Sequence, residues 1–400
     1  MWTGTLGEVT FVESCSETVL YTVPSVPPYH IFSFPIQGTI ILAQYVQENE
    51  AIPLLDKKAF HLQALLKMSN KLIIVGKSLP PLNTLEANVD KRSDWISADP
   101  QKIRASLQKV LQKPSGNWYV IGGKEKLCSK EGREVHFVNG KELLLIRNED
   151  RFCCISNHCP HMGAPLSIGR FDSQRVTCAW HGLSLDCCSP HTKNHFPLYD
   201  DGYLLWVQIP SNEPSSEKPY LCDRPAQGIA AVYQKVLRCS PEHVIQNRLD
   251  PWHGAHFHPH TFARLQVYEE TEDAIVLRVA YRVWNRICIE VDARFHCPDP
   301  RTIVMTILEG EGKGSVVETH ATPLAPGYTL LTELTIAHSS RKGFQKARTM
   351  AFLIRPFMVR SMARLWKEDG AYAERRFYLE NGTPYQLHVE KGSLVGDPKK

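Results

Sequence analysis

The sequence lacks several features that would assign the protein to a broad class at once. It contains no low-complexity run and no internal repeat, and Pro35 and Gly38 interrupt its apolar segment 31–46, which is short for a membrane span. Residues 1–10 contain Glu8 and lack the basic start and apolar stretch of a signal peptide. We therefore expect a cytoplasmic protein.

An excess of one sign of charge is also missing. The chain has 46 Lys and Arg residues against 42 Asp and Glu residues, which gives a formal net charge of +4. Nucleic-acid binding normally needs basic residues clustered on one face of the protein. The dispersed charge argues against a nucleic-acid partner and is compatible with an acidic redox partner.

The length and the cysteine content of the chain are informative about its domains and its chemistry. Its 400 residues exceed the usual size of one hydrophobic core, so two or three domains are expected. Twelve cysteines in a chain without a secretory signal indicate metal ligation and buried thiols before disulfides. The adjacent pairs Cys153-Cys154 and Cys187-Cys188 are interpreted as thiols packed on strands.

Local patterns divide the chain into five parts. Residues 1–112 form a region of unknown role and unknown fold, with strand-like pieces at 8–11, 39–45 and 71–75 and a helix at 100–112. Residues 113–210 carry short alternating strands, and Asn139-Gly140 between two of them is a strong hairpin signal. Residues 211–229 are interpreted as a linker because a polar stretch rich in Pro, Ser and Glu opens them.

The remainder of the chain combines strands with one long helix. Residues 230–390 contain strand-like runs at 274–284, 286–297, 301–309 and 314–338, a helical stretch at 343–379, and then a polar tail at 391–400. We predict an α+β protein: a β-rich domain, then an antiparallel-sheet domain with its C-terminal helix laid on the sheet in a helix-grip-like arrangement.

Two short segments each combine a cysteine with a histidine. Cys159-Pro160-His161 is followed, after sixteen intervening residues, by Cys178-Ala179-Trp180-His181-Gly182. A Rieske [2Fe–2S] cluster needs two thiolates on one iron and two imidazoles on the other, and the two segments supply them. A structural zinc is the alternative, although its ligands usually pair as Cys-x-x-Cys and His-x-x-x-His.

These segments carry a family resemblance. Together with Asp186 and the strand Gly202-Tyr203-Leu204-Leu205-Trp206-Val207, they resemble the Rieske domain of the ring-hydroxylating oxygenase family over about 90 residues. The resemblance implies that Cys159, His161, Cys178 and His181 bind the cluster.

A second histidine cluster predicts a separate iron site. Four histidines fall within eight residues, at 253, 256, 258 and 260. Oxygen activation by iron(II) needs two imidazoles and a carboxylate on one face, and His253 and His258 fit as the imidazole pair. The family's motif Asn-x-x-Asp-x-x-His-x-x-x-x-His is met from Asn247 to His258, whereas His256 and His260 are interpreted as hydrogen-bonded or surface histidines.

The resemblance also implies two carboxylate roles. Asp250 would bridge the iron-binding His253 to a cluster histidine of a neighbouring subunit, and its alternative role is to cap a helix beginning at Pro251. The third iron ligand would be an acid on a late helix. We choose Asp369, with Glu368 and Glu374 as reserves.

The family resemblance implies an enzyme, an oxidoreductase in which the cluster passes electrons to a mononuclear Fe(II) that activates O2 and oxygenates an apolar organic substrate. A ferredoxin or reductase would donate the electrons, and the bridge implies a homo-oligomer, a trimer. Residues 250–256 and 371–376 are similar to Rieske proteins of carotenoid pathways, so a carotenoid ring methyl is one expected substrate.

Other interpretations stay open. A monooxygenase or demethylase of a sterol or a small aromatic, a non-catalytic Rieske electron carrier, and a scaffold protein with structural zinc are the alternatives. Apolar residues interleave with arginines over 345–366, which is compatible with a peripheral membrane contact. The same pattern also fits a helix packed on a sheet.

Overall fold

The computed structural model describes residues 98–382 except 129–131, 149–150, 173, 190–193, 272–273 and 285–286, together with residues 18–20, 31–36, 39–44, 72–76 and 79. The expected strand at 8–11 and the tail at 391–400 lie outside these residues. Four short strands are described before the first described helix: β1 (Thr18–Leu20), β2 (Ile31–Ile36), β3 (Thr39–Gln44) and β4 (Leu72–Ile74). The helix α1 follows at Pro100–Leu111, as the sequence predicts.

In the first large part of the chain, the described residues form nine strands and one short 3-10 helix. They are β5 (Trp118–Gly123), β6 (Arg133–Val138), β7 (Lys141–Asn148), β8 (Arg151–Ser156), β9 (Arg170–Asp172), β10 (Arg175–Thr177), β11 (Ser184–Asp186), β12 (Leu198–Asp200) and β13 (Leu204–Gln208). They pair into three small antiparallel sheets, β6-β7-β8, β9-β10-β11 and β5-β13-β12. Asn139 and Gly140 have φ of 48° and 72° between β6 and β7, so the predicted hairpin is confirmed.

A larger sheet forms the second part. Its strands in this part of the chain are β14 (Ile229–Leu237), β15 (Phe262–Glu270), β16 (Ala274–Trp284), β17 (Ile287–Asp299), β18 (Thr302–Gly310), β19 (Val316–Ala325) and β20 (Tyr328–Ala337). Strands β15 to β20 form an antiparallel meander, and β14 returns to pair with β20. The run predicted over 314–338 is wrong as a single strand, because Pro326-Gly327 turns the chain, with Gly327 at φ 75°.

Four helices complete the described residues of this part: α2 (Pro241–Arg248), α3 (His253–Phe257), α4 (Lys342–Thr349) and α5 (Ala351–Asn381). The inward face of α5 buries Trp366 and Ala373 against Leu237 of β14 and Leu331 of β20. Ile103 and Leu107 of α1 belong to the same core. The fold class predicted from the sequence is confirmed, and the region of unknown role contributes one helix to this core.

The segment between the two parts is held by specific contacts. Asn117 Nδ2 donates to the Glu213 carbonyl at 3.1 Å and to Ser215 Oγ at 2.8 Å. Further along, Arg224 pairs with Asp201 on one side and with the buried Glu318 of β19 on the other. Residues 211–229 thus join the two parts through buried charge as well as through the backbone.

Among the helices that the structure describes, none is both long and apolar enough to cross a bilayer.

Candidate metal sites

The two Cys-His segments fold into a pair of matching loops. Cys159 N–H donates to the Ala164 carbonyl, and Cys178 N–H donates to the Leu183 carbonyl, each at 2.8 Å. Each loop is closed by a glycine four residues after its cysteine, and Gly163 and Gly182 have φ of 77° and 75°. Residues that carry a side chain rarely adopt this backbone conformation, so the glycines permit both tight turns.

The four predicted cluster ligands face one another across these loops. Cys159 and Cys178 are buried, whereas His161 and His181 are exposed, with ring centroids 4.8 Å apart. Backbone N–H groups of Trp180 and His181, together with the Cys159 side chain, outweigh burial and lower the pKa of the Cys178 thiol. Amide donors favour the thiolate form, which is the form that binds iron.

One cysteine expectation is wrong. Cys153 of β8 forms a disulfide with Cys188, which follows β11, and their Cα atoms are 5.2 Å apart. The two neighbours, Cys154 and Cys187, are buried free thiols as expected. The disulfide joins the strand before the first loop to the segment after the second, a proximity that the sequence alone does not show.

The second site brings the predicted imidazoles and carboxylate together. One ligand atom from each of His253, His258 and Asp369 lies within 4.8 Å of the other two. Asp369 Oδ1 is 3.1 Å from His253 Nε2 and 2.8 Å from His258 Nε2. Both ring nitrogens therefore point to one place, where a bound cation would find two imidazoles and one carboxylate.

The local fold explains this convergence. His253 begins and His258 follows the five-residue helix α3, so their rings approach from its two ends. Asp369 lies on the inward face of α5, beside Gly370. A Cβ atom at Gly370 would be 2.8 Å from Leu237 Cδ2, so glycine lets α5 approach β14 closely at this position.

Asp250 lies behind His253. Its backbone carbonyl accepts from His253 Nδ1, and its Oδ2 is 3.6 Å from that nitrogen. Tyr372 donates to Asp250 Oδ2 at 3.2 Å and stacks on the His253 ring, with centroids 5.4 Å apart. Asp250 Oδ1 is buried and has no hydrogen-bond partner among the described residues. The alternative prediction, that Asp250 caps a helix beginning at Pro251, is wrong, because Trp252 is the N-cap residue of α3.

The reserve acids lie elsewhere. Glu368 Oε2 is 2.5 Å from His258 Nδ1 and 3.7 Å from His260 Nε2, so it contacts the far side of the His258 ring. Glu374 accepts from the Arg238 backbone N–H at 2.9 Å. Asp369 is the carboxylate in the converging set, and His260 Nε2 lies near Glu368 instead.

An ion pair between the partly buried Arg248 and the buried Glu333 lies beside the site and was not predicted. Arg248 Nη1 lies 3.9 Å from Asp369 Oδ2, and Arg248 Nη2 donates to Glu333 Oε2 at 2.8 Å. Trp366 Nε1 donates to the same Glu333 oxygen at 2.6 Å. Asn247 of the predicted motif donates to Asp369 Oδ1 at 3.2 Å. Only the Asn247 contact had a sequence signal, because strand β20 supplies Glu333 from far along the chain.

Contacts among the protein groups of the site favour the anionic form of Asp369 and the cationic form of His253. Burial opposes the charged form of Asp369, but the hydrogen bonds from His253 and His258 lower its pKa well below the usual range. Burial likewise opposes a charge on His253, yet the bonds to Asp250 and Asp369 raise its pKa to about 9. A bound cation would replace these protons between the same atoms.

Comparison with known families covers most of the described chain. The Rieske [2Fe-2S] domain family matches residues 117–198, and a family described as a domain of unknown function (DUF5914) matches residues 210–383. The first match contains all four predicted cluster ligands, and the second contains the converging site. The predicted Rieske domain is confirmed.

Several curated relatives carry oxygenase names. The vanillate O-demethylase oxygenase subunit of Pseudomonas sp. (strain HR199 / DSM 7063) is 33% identical over 75 residues, which cover 18% of this chain and 21% of the relative. Chlorophyllide a oxygenase, chloroplastic, of Oryza sativa subsp. japonica is 27% identical over 187 residues, 44% of this chain and 33% of the relative. The matches thus span about a fifth and a third of these relatives.

Among solved structures, dicamba monooxygenase bound to dicamba is similar with a TM-score of 0.48 at 19% identity, over 69% of this chain and 93% of that chain. The chain thus contains a Rieske [2Fe-2S] domain at residues 117–198, and the resemblance seen in the sequence is confirmed over that domain.

Proposed function

We propose that this protein is a Rieske-type oxygenase. Cys159, His161, Cys178 and His181 would hold the [2Fe–2S] cluster, and a separate site would hold mononuclear Fe(II). The observation that carries the proposal is the convergence of His253, His258 and Asp369 in a chain that also has a Rieske domain.

The donor set of the second site suits iron(II). Two imidazoles and one carboxylate on one face leave further coordination positions open, which is the arrangement of non-haem iron oxygenases. Bound there, the iron would supply the redox chemistry that makes O2 reactive. Asp369 is 1% exposed and sits between the two imidazoles, so the protein fixes the carboxylate before any metal arrives.

The surrounding residues hold the ligands in one tautomer each. The Asp250 carbonyl accepts from His253 Nδ1, and Glu368 accepts from His258 Nδ1, so both Nε2 atoms are left as metal donors. Carboxylates bonded to ligand imidazoles also raise their basicity. Tyr372 restrains the same assembly, since it bonds Asp250 and stacks on His253.

The exposure of His161 and His181 and the Oδ1 atom of Asp250, unpaired among the described residues, support an electron route between subunits. His161 and His181 face solvent, next to the exposed apolar side chains Met162 and Trp180. Asp250 Oδ1 is buried without a partner in the described part of the chain. We propose that a cluster histidine of one subunit meets Asp250 of its neighbour in a homo-oligomer, a trimer, with a ferredoxin or reductase as the electron donor.

The substrate proposed is an apolar organic molecule. Phe257 lies 4.9 Å and Phe262 6.1 Å from the His258 ring between centroids, and Phe262 packs at 5.3 Å against Tyr281. These aromatic rings give the iron site an apolar wall, which would exclude water and accept hydrocarbon. A carotenoid ring methyl is the specific substrate proposed, and sterols and small aromatics are the competing classes.

Three measurements test this function. Anaerobically purified protein should contain iron and inorganic sulfide, and the reduced cluster should give an EPR signal. Reduced protein should then transfer label from 18O2 to a carotenoid, a sterol or a small aromatic. The control Asp369→Ala should keep the cluster signal and lose the second iron and all product. Purified protein that contains zinc and no inorganic sulfide would refute the proposal.

A further inference from the structure

The beginning of α5 presents large apolar side chains to solvent. Met350, Phe352, Leu353 and Phe357 are 50%, 69%, 47% and 45% exposed, and we call these four residues the apolar patch. Single exposed apolar residues are ordinary on protein surfaces, whereas neighbouring groups of them mark interaction sites.

Basic residues surround the apolar patch. Between residues 342 and 367 the chain has seven Lys and Arg residues and no Asp or Glu: Lys342, Lys346, Arg348, Arg355, Arg360, Arg364 and Lys367. Leu353, Phe357, Arg360 and Arg364 follow the spacing i, i+4, i+7 and i+11, which places them on one face of the helix. The outer face of α5 is therefore apolar at its start and basic directly after it.

Most of this positive charge has no acidic partner among the described residues. Lys346, Arg360 and Arg364 are exposed, and none forms an ion pair with an acid in the part of the chain that the structure describes. Arg355 pairs with Glu125 at 3.4 Å, and Glu125 itself is largely exposed. The surface thus keeps several basic groups for an anionic partner.

Packing of α5 on the sheet does not account for the apolar patch. The inward face of the helix has its own apolar residues, and Met358 and Met362 are buried against Ile229 and Ala231 of β14. Phe352 and Phe357 point elsewhere and stay exposed. The helix therefore carries two apolar surfaces, of which the sheet covers one.

We propose that the apolar patch and its basic surround dock on the surface of an anionic lipid bilayer. Aromatic and aliphatic side chains on one face and bases beside them are the composition of helices that lie in the membrane interface. Fluid lipid accommodates side chains of unequal length, and anionic headgroups attract each nearby base. A second copy of this surface would bring like charges together, which disfavours self-association through it.

Docking would orient the iron site with respect to the bilayer. Asp369 follows Phe357 by twelve residues on the same helix, about 18 Å at the rise of an α-helix. An apolar substrate partitions into the bilayer, so a docked enzyme would meet it there. This consequence rests on the proposed function, whereas docking itself does not.

The test measures binding to vesicles without turnover. Intact protein with its metals is floated with vesicles of phosphatidylcholine alone and with vesicles containing phosphatidylglycerol. The variants are Phe352→Ser/Phe357→Ser and Arg360→Gln/Arg364→Gln. The controls are Leu379→Ser, an exposed residue near the other end of α5, and Lys141→Gln/Arg151→Gln, exposed bases of the Rieske domain.

We expect binding to the anionic vesicles that weakens with salt. Loss of two bases should weaken binding on the order of thirtyfold, about fivefold for each base, and the apolar variant should weaken it at least as much, while the controls bind as the parent does. Absence of vesicle binding would overturn the proposal. So would patch variants that change the oligomeric mass, or the affinity for an acidic ferredoxin, without changing vesicle binding. A negative result would leave the iron-site proposal standing, because metal content and product formation are measured separately.

Discussion

Glu368 Oε2 lies 2.5 Å from His258 Nδ1, whereas the neighbouring Asp369 Oδ1 lies 2.8 Å from His258 Nε2. Two consecutive acids of one helix thus contact opposite sides of the same imidazole. Under the proposed function, Asp369 would bind the metal and Glu368 would orient the ring.

The first prediction separates these two acids. Glu368→Gln should leave the second iron bound but with affinity lowered by about 10- to 100-fold, because the ring loses its charged acceptor. Asp369→Asn should abolish binding at that site, because a ligand is removed. Iron titration monitored by metal analysis measures both. Equal loss in the two variants would contradict the division of roles.

The second prediction concerns Asp250. Asp250→Asn should keep the cluster and the second iron, because the carbonyl of residue 250 still accepts from His253 Nδ1. Product formation should nevertheless fall below detection if the carboxylate joins the two metal sites between subunits. Stopped-flow measurement of cluster oxidation checks this, and Tyr372→Phe is the matched control, since it removes the hydroxyl but keeps the stacked ring. Full activity in Asp250→Asn would exclude the bridge.

The third prediction distinguishes ligand cysteines from packed ones. Cys178→Ala should remove the visible absorption of the cluster and its inorganic sulfide, because one thiolate is missing. Cys154→Ala, at a fully buried position on β8, should retain both and only lower stability. The absorption spectrum and sulfide content of each purified variant decide the matter. Retention of the cluster in Cys178→Ala would show that another cysteine binds it.

The fourth prediction concerns pH. Glu318 is buried, which opposes its charge, yet Arg224 and His320 lower the pKa of its carboxyl to about 2. A pKa that is lower in the folded state than in the unfolded state adds stability at high pH and loses it as pH falls. Between about pH 5.5 and about pH 3, the parent should lose about 2 kcal/mol more of its free energy of unfolding than Glu318→Gln does. Urea unfolding of both proteins at the two pH values measures the difference, and parallel losses would contradict it.

Much of each candidate site could be predicted from short segments of the sequence. The Cys-x-His and Cys-x-x-His-Gly segments, and the spacing between His253 and His258, could be read directly because each set of donors lies within a few residues of sequence. The hairpin at Asn139-Gly140 was predictable for the same reason, since its positive φ angles favour those residue types. Pro326-Gly327 was an equally local signal and should have divided the run 314–338 into two strands.

The sequence alone determined the types of donor and their spacing within each loop, because these depend on residues that are close together in the chain. Only the tertiary structure decided that Asp369 faces the two imidazoles while Glu368 lies behind one, that Glu333 reaches Arg248, and that Cys153 meets Cys188. It also decided which face of α5 the sheet covers and which face stays exposed. These outcomes depend on how distant strands and helices pack, and a periodic sequence pattern does not specify which neighbour each face will meet.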